Sequence, residues 1–286
     1  MIARIILFMA IMIAPLWASV TYSVSSQKIA NAQTMLFELR SDIPFSKAYV
    51  AYLGVRYPFY AHPTKVETFY ALVPTGYYVK PQEKKAVIVT VVDGVKDYIS
   101  VPIMIAQGTY KTEHLKVAPS RAKISPQNRA RIKRENKEAM KIYRTFTKHT
   151  YISEPFLRPL DSKITSAFGT KRLFNGMLKS YHSGTDFRAA LGRPLMASNR
   201  GKVVLVKNRF FAGNSVIIDH GQGIYTGYYH MSHFKVKVGD IVEKGQVIGL
   251  AGATGRVTGP HLHFSVHVGG VGVDPMQFLD IVNRLY

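Results

Sequence analysis

The chain has no cysteine, which excludes disulfides, thiolate metal sites and cysteine nucleophiles and leaves any metal to nitrogen and oxygen ligands. Acidic residues are scarce: 17 Asp and Glu stand against 38 Lys and Arg, a formal net charge of +21. That excess draws the protein toward polyanions such as nucleic acid, acidic membrane surface or anionic cell wall, and charge alone does not choose among them. No H-E-x-x-H zinc motif, internal repeat or low-complexity segment is present. What is there suits packed cores, since 286 residues with 47% hydrophobic and 19% charged side chains exclude a mainly disordered chain. The length allows one large domain or two modest ones.

The N-terminus bears on compartment. Arg4 supplies a short positive region, and no charge follows from Ile5 to Gln27, with the apolar core ILFMAIMIAPLWA before the polar TYSVSSQ. Residues 1–27 are read as an export signal or membrane anchor. The dense part is shorter than the ~20 residues a spanning helix needs. Cleavage after Ala18 or Ser19 would set Leu16 or Trp17 where a small residue is wanted, so retention as an anchor stays open. The expected location is the periplasm or cell envelope, with the N-terminus as a tether to the inner membrane if uncleaved.

Residues 42–117 favour strands: YVAYLGVRY, ETFYALV, KAVIVTVV and VKDYISVPIMI, divided by Pro, Gly and Asp. Asp93-Gly94 between the last two runs is a two-residue hairpin signal, because both central positions of that turn need positive φ. We expect a small β-sandwich-like accessory module, with packing or positioning as its default role. Residues 118–150 predict a basic linker helix starting at Ser125-Pro126, with Ile132, Ala139, Met140, Tyr143 and Phe146 at helical spacing. Ten lysines and arginines between Arg121 and Lys148 face only Glu135 and Glu138, either as a contact with anionic wall polymer or lipid or as a solvated face. Residues 152–286 are again β-rich, with glycine at the junctions of KVVLVKN, SVIIDHG, IYTGYYHM and LHFSVHV and helical pattern only in the closing QFLDIVNRLY. The fold class is mainly β throughout.

Seven of the ten histidines lie between His182 and His267, a reason to test for metal in a cysteine-free domain. In YHSGTD, His182 and Asp186 stand four apart on a loop entering a strand. In GPHLHFSVH, His261 and His263 are two apart on a strand and project from one face. A catalytic zinc wants three protein ligands and an open position, and two histidines with one carboxylate meet that preference. His182, Asp186 and His263 fit it, with His230 and His233 in YYHMSHF between the two clusters.

YHSGTDF, YYHMS and GPHLHF, in this order, resemble the signature of the lysostaphin-like, LytM-type zinc peptidases (peptidase family M23). VKVGDIVEKGQVIGLAGATGRVTGPHLHF resembles that family's run of turns before the second histidine pair, and the likeness covers about Ser166 to Leu279. The resemblance implies one Zn2+ held by His182, Asp186 and His263, with His230 and His261 as the two catalytic histidines. Met231 stands where leucine is common, a swap conservative in volume. The zinc would polarise the scissile carbonyl and bring its water to a pKa of roughly 7. His261, beside a ligand, is read as the base and His230 as donor to the oxyanion, though sequence does not fix which histidine takes which step. The implied function is a zinc-dependent DD-endopeptidase of peptidoglycan stem-peptide cross-links, with carboxypeptidase activity open, and the implied partner is peptidoglycan, not nucleic acid.

Arg172 and Asn175 in FGTKRLFNG, with Phe210, Phe211 and Asn214, are expected to line the substrate groove or to pack locally. His220 is expected to support a turn, and His233 and His267 to be exposed or packing residues. VKVGDIVEKGQVIGLAG also resembles the hairpin of biotinyl and lipoyl carriers, but the lysine those carriers need at the turn tip is missing. The remaining alternative is a non-catalytic member that activates another wall hydrolase; such members have typically lost ligands, whereas all five positions are present here. The accessory module is expected to cover the groove, so that a truncation beginning near Ile152 would be more active.

Overall fold

The structure is a computed structural model and describes residues 20–115, 124–174 and 177–286. The apolar N-terminal segment through Ser19, part of the linker ahead of the helix, and Asn175 lie outside the described residues. Among the described residues, no helix is long and apolar enough to cross a membrane.

The N-terminal half packs two sheets over one core. Four strands run in the order Val20–Val24, Thr34–Ser41, Thr68–Pro74 and Tyr60–Ala61; five run Lys28–Ala30, Val95–Ala106, Gln82–Val92, Lys47–Tyr52 and Val55–Pro58. Phe37, Leu39, Val50, Tyr52, Ile88 and Ile103 fill the space between them. Asp93 and Gly94 take φ of 48° and 79° and join Val92 to its partner Val95, as the two-residue turn requires. Strands begin earlier than the sequence suggested. Val20–Val24 belongs to a sheet although it was read as part of the N-terminal segment, and Thr34–Ser41 precedes the expected start at Asp42. TMLFELRS was missed because it lacks alternation: its first four residues are all buried, since one face meets the N-terminal core and Leu36 meets the C-terminal one.

Ser125 caps the linker helix Pro126–Tyr143 by accepting the Asn128 N–H, with Pro126 in the first turn. Ala139 and Tyr143 bury against Leu205, Ile217 and Tyr225. Arg129, Lys133, Lys137 and Lys141, spaced four apart and so on one face, are exposed.

The C-terminal sheet runs Ile164–Ser166, Thr185–Arg188, His261–Val268, Ile224–Met231, Gly213–Asp219, Gly201–Arg209 and Ile241–Val242, with Val271–Val273 also on His261–Val268. Every residue of Ile224–Met231 is buried, so its polar groups must be satisfied inside. The Tyr228 hydroxyl accepts from Ser198 N–H at 2.8 Å, and the Tyr229 hydroxyl pairs with Tyr143 at 2.8 Å and Ser265 at 2.9 Å. Asp274 caps the closing helix Pro275–Val282.

The two halves share packing. Leu36, Tyr70 and Leu72 of the N-terminal sheet lie in the same core as Phe264, Phe278 and Leu285, and the Gln277 amide pairs with both Thr34 N–H and C=O at 2.9 and 2.8 Å. Tyr77 stacks on Tyr181 at 3.7 Å, directly before His182.

Candidate metal centre

Register brings the ligand set together. Asp186 stands opposite His263 in the antiparallel pair of Thr185–Arg188 with His261–Val268, where neighbouring side chains on one face touch. His182 reaches the same point from the turn after Met177–Tyr181, its backbone N–H donating to Thr170 O at 2.9 Å and its O accepting from Gly169 N–H at 2.8 Å. His182 Nε2 lies 3.0 Å from Asp186 Oδ1 and 2.9 Å from His263 Nδ1, and His263 Nδ1 lies 2.7 Å from Asp186 Oδ1. Among the described residues this is the one group of three such side chains whose ligand atoms all approach one another.

The donor set fits a divalent ion. His182 Nδ1 donates to Ala167 O at 3.0 Å, which fixes the tautomer and leaves Nε2 with its lone pair toward the cluster. Burial alone would raise the Asp186 pKa, yet hydrogen bonds and charge from His182 and His263 outweigh it and hold the carboxyl well below the usual range. Burial lowers the His263 pKa against the opposing pull of Asp186, favouring the neutral ring a metal needs. Two imidazole nitrogens and an ionised carboxylate are the nitrogen and oxygen set of three-ligand zinc sites.

His230 and His261 flank this triad, their rings 4.8 Å apart. His261 Nδ1 donates to Gly259 O at 2.9 Å, and its Nε2 stands 3.8 Å from Asp186 Oδ1. His230 Nδ1 donates to Thr254 O at 2.9 Å. Both rings therefore carry a proton on Nδ1 and turn Nε2 away from that bond. Burial, then the neighbouring His263, push the His230 pKa down to about 4.

His230 is also backbone-strained. Its φ is 62°, a left-handed conformation costing a non-glycine residue about 1–3 kcal/mol. It lies where the register with Gly213–Asp219 slips, Asn214 pairing Met231 and Val216 pairing Tyr228, and such bulges re-aim side chains. Thr254 holds this point: besides the ring contact, its hydroxyl donates to Met231 O at 2.8 Å and accepts from Asn214 N–H at 2.9 Å. Sequence reading missed Thr254 because it acts partly through a backbone carbonyl, which any residue type supplies.

The other expected positions divide. Asn214 turns its amide inward, accepting from Asn208 at 2.9 Å and donating to Ser232 O at 3.3 Å. Arg172 lies on the strand Lys171–Phe174, paired with the hairpin strand that leads to His182. Phe211 is 39% exposed with the Arg256 guanidinium 5.7 Å over its ring; Phe210 packs edge-on to it. His220 is fully buried, its ring bonded to Arg200 O and the Thr226 hydroxyl, both at 2.8 Å. His267 stacks on Tyr143 at 3.6 Å, and His233 is exposed.

The model of peptidase family M23 matches residues 180–275. Over 122 residues, 42% of the chain, the sequence is 46% identical to the peptidoglycan DD-endopeptidase ShyA of Vibrio cholerae, covering 28% of that protein. Over 118 residues, 41% of the chain, it is 38% identical to the DD-carboxypeptidase/endopeptidase Mpg of Neisseria meningitidis, covering 27% of it. The matches thus span under a third of these curated relatives. A solved Pseudomonas aeruginosa structure named as a peptidase M23 aligns with 87% of this chain and 94% of its own at 26% identity and a TM-score of 0.66, so the shared fold takes in the N-terminal strands as well as the C-terminal sheet.

Proposed function

We propose that this chain, which contains a peptidase family M23 domain at residues 180–275, is an exported zinc-dependent DD-endopeptidase that cuts stem-peptide cross-links in peptidoglycan. One observation carries the reading: His182 Nε2, Asp186 Oδ1 and His263 Nδ1 converge within about 3 Å of each other beside His230 and His261, each held through Nδ1 by a backbone carbonyl. The names of the relatives support the substrate class. A non-catalytic activator role fits less well, because the three ligand positions and both flanking histidines are all in place.

A zinc ion bound here supplies a Lewis acid that polarises the scissile carbonyl and acidifies the attacking water. His261 accepts that water's proton on Nε2, its Nδ1–H bond to Gly259 O stabilising the imidazolium that forms. His261 then returns that proton to the leaving amine; His230 donates from Nε2 to the developing oxyanion only when doubly protonated, a state that burial keeps scarce near neutral pH. The same site on an uncross-linked stem would trim a terminal D-amino acid, the carboxypeptidase activity named for the Neisseria relative.

Export rests on Arg4 and the apolar run that follows it. The exposed Arg129, Lys133, Lys137 and Lys141 offer a surface for anionic wall polymer or lipid headgroups. The test is mass analysis of muropeptides after digestion of purified wall material, with and without chelator. Chelator-sensitive loss of cross-linked species with matching gain of monomers is expected. Intact cross-links under zinc-loaded, folded enzyme would reject the function.

A further inference from the structure

Glu135 is a carboxylate in an otherwise strongly basic helix, yet it is only 7% exposed. Burying a carboxylate is costly unless its oxygens are used, and both are. Oε1 accepts from Arg131 Nε at 2.7 Å; Oε2 accepts the backbone N–H of Phe210 at 2.9 Å. Phe210, Phe211 and Ala212 form the tip joining Gly201–Arg209 to Gly213–Asp219, a three-residue loop closed by Gly213 at φ 61°. The carbonyl of Ala212 in that tip accepts the backbone N–H of His230 at 2.9 Å, and Phe211 O accepts from Arg256 N–H at 3.0 Å.

A continuous path thus runs from the linker helix to the strained backbone of His230. A left-handed histidine in a bulge persists only when its surroundings over-determine it, and the tip supplies one of its two anchors. We infer that Glu135 is a positioning residue: by fixing the Phe210–Ala212 tip through the Phe210 N–H, it holds the His230 backbone in the bulge that aims the ring at the metal centre. This rests on the proposed function for its kinetic consequence but not for its structural one. The linker helix is then part of the site's scaffold, not only a connection between modules.

The test uses full-length, zinc-loaded protein with three substitutions. Glu135→Met keeps the volume and helix propensity but removes the acceptor; Glu135→Gln restores an acceptor for Phe210; Glu138→Ala removes the surface pair with Lys207 on the same helix. In Glu135→Met, backbone hydrogen exchange should quicken about tenfold at residues 210–214 and 229–232, with 261–268 unchanged. The kcat on cross-linked muropeptide should fall about tenfold at unchanged KM and zinc content. Glu135→Gln, which keeps one acceptor for Phe210 but turns an NH2 toward Arg131, should be clearly less impaired than Glu135→Met, and Glu138→Ala should match the parent. Unchanged exchange in Glu135→Met, uniform quickening across the domain, or a Gln variant as impaired as Met would overturn the inference. Should the Met variant not fold, Glu135→Ala takes its place under the same criteria. If the parent protein cleaves no muropeptide while the exchange pattern appears as expected, the proposed function fails and the positioning role stands.

Discussion

Gly184 offers the sharpest perturbation of the metal centre, because it supplies no ligand atom itself yet packs directly against the ligand His263. A Cβ added there would lie 2.4 Å from the Phe264 carbonyl oxygen and 2.5 Å from His263 Nε2. Ordinary contact is about 3.5 Å, so the neighbours must retreat by about 1 Å. The carbonyl belongs to the strand pair that sets Asp186 opposite His263 and cannot rotate away as a flexible side chain could. Gly184→Ala therefore spreads the pair or tilts the His263 ring, at a point where Asp186 Oδ1 and His263 Nδ1 stand 2.7 Å apart. Displacing one of three ligands by about 1 Å should weaken zinc binding at least about tenfold, roughly 1.4 kcal/mol. Overpacking should also cost about 1–3 kcal/mol of stability. Competition against a chromophoric chelator gives the affinity, and calorimetry with zinc removed gives the stability. A Gly184→Ala protein that held zinc as tightly as its parent would refute the claim that this close approach sets the ligand geometry.

Three further outcomes follow from the packing and charge. Burial holds the pKa of His220 down to about 4 and that of His267 down to about 3; the unfolded chain takes up those protons near pH 6.5, so stability is complete above that pH and falls as pH drops from about 6.5 through 4. Each ring contributes up to about 1.4 kcal/mol per pH unit in that window; flat denaturant midpoints between pH 7 and 4.5 would contradict it. Truncation at Ile152 removes Ala139 and Tyr143 from Leu205, Ile217 and Tyr225, and Leu36, Tyr70 and Leu72 from the C-terminal core. The fragment should therefore unfold at lower temperature; if it stays folded, its specific activity tests whether the accessory module covers the groove, a rise supporting that expectation and an equal or lower value contradicting it. Reversing Lys133, Lys137 and Lys141 to glutamate should abolish salt-sensitive co-sedimentation with anionic vesicles or wall material, and unchanged, salt-independent binding would remove the basic face as a contact.

How much of this the sequence carried depends on the range of the interactions involved. The Asp93-Gly94 turn and the Ser125-Pro126 helix start are local devices, in which the residue types themselves supply the φ values or the cap, and both occur where their chemistry places them. The metal cluster was legible for a different reason: few residue types ligate metal, and the strand period puts His261 and His263 on one face. Thr34–Ser41 was illegible because burial on both faces erases alternation. Glu135 was invisible because it accepts from a backbone N–H 75 residues away, where no residue type need mark the partner, and Thr254 because it holds the His230 ring, 24 residues away, through its own backbone carbonyl, which any residue type supplies. The left-handed φ of His230 has only a weak local signal, since histidine tolerates positive φ better than most residues but nothing else in YYHMS marks the bulge.

The account stands most directly on whether one ion sits among His182, Asp186 and His263. Anomalous diffraction at the zinc absorption edge, on crystals of the full chain grown with zinc, decides it. A single peak within about 2.0–2.2 Å of His182 Nε2, an Asp186 carboxylate oxygen and His263 Nδ1 is expected. A zinc-loaded crystal with that triad empty, or with the ion held by other side chains, would contradict the central claim.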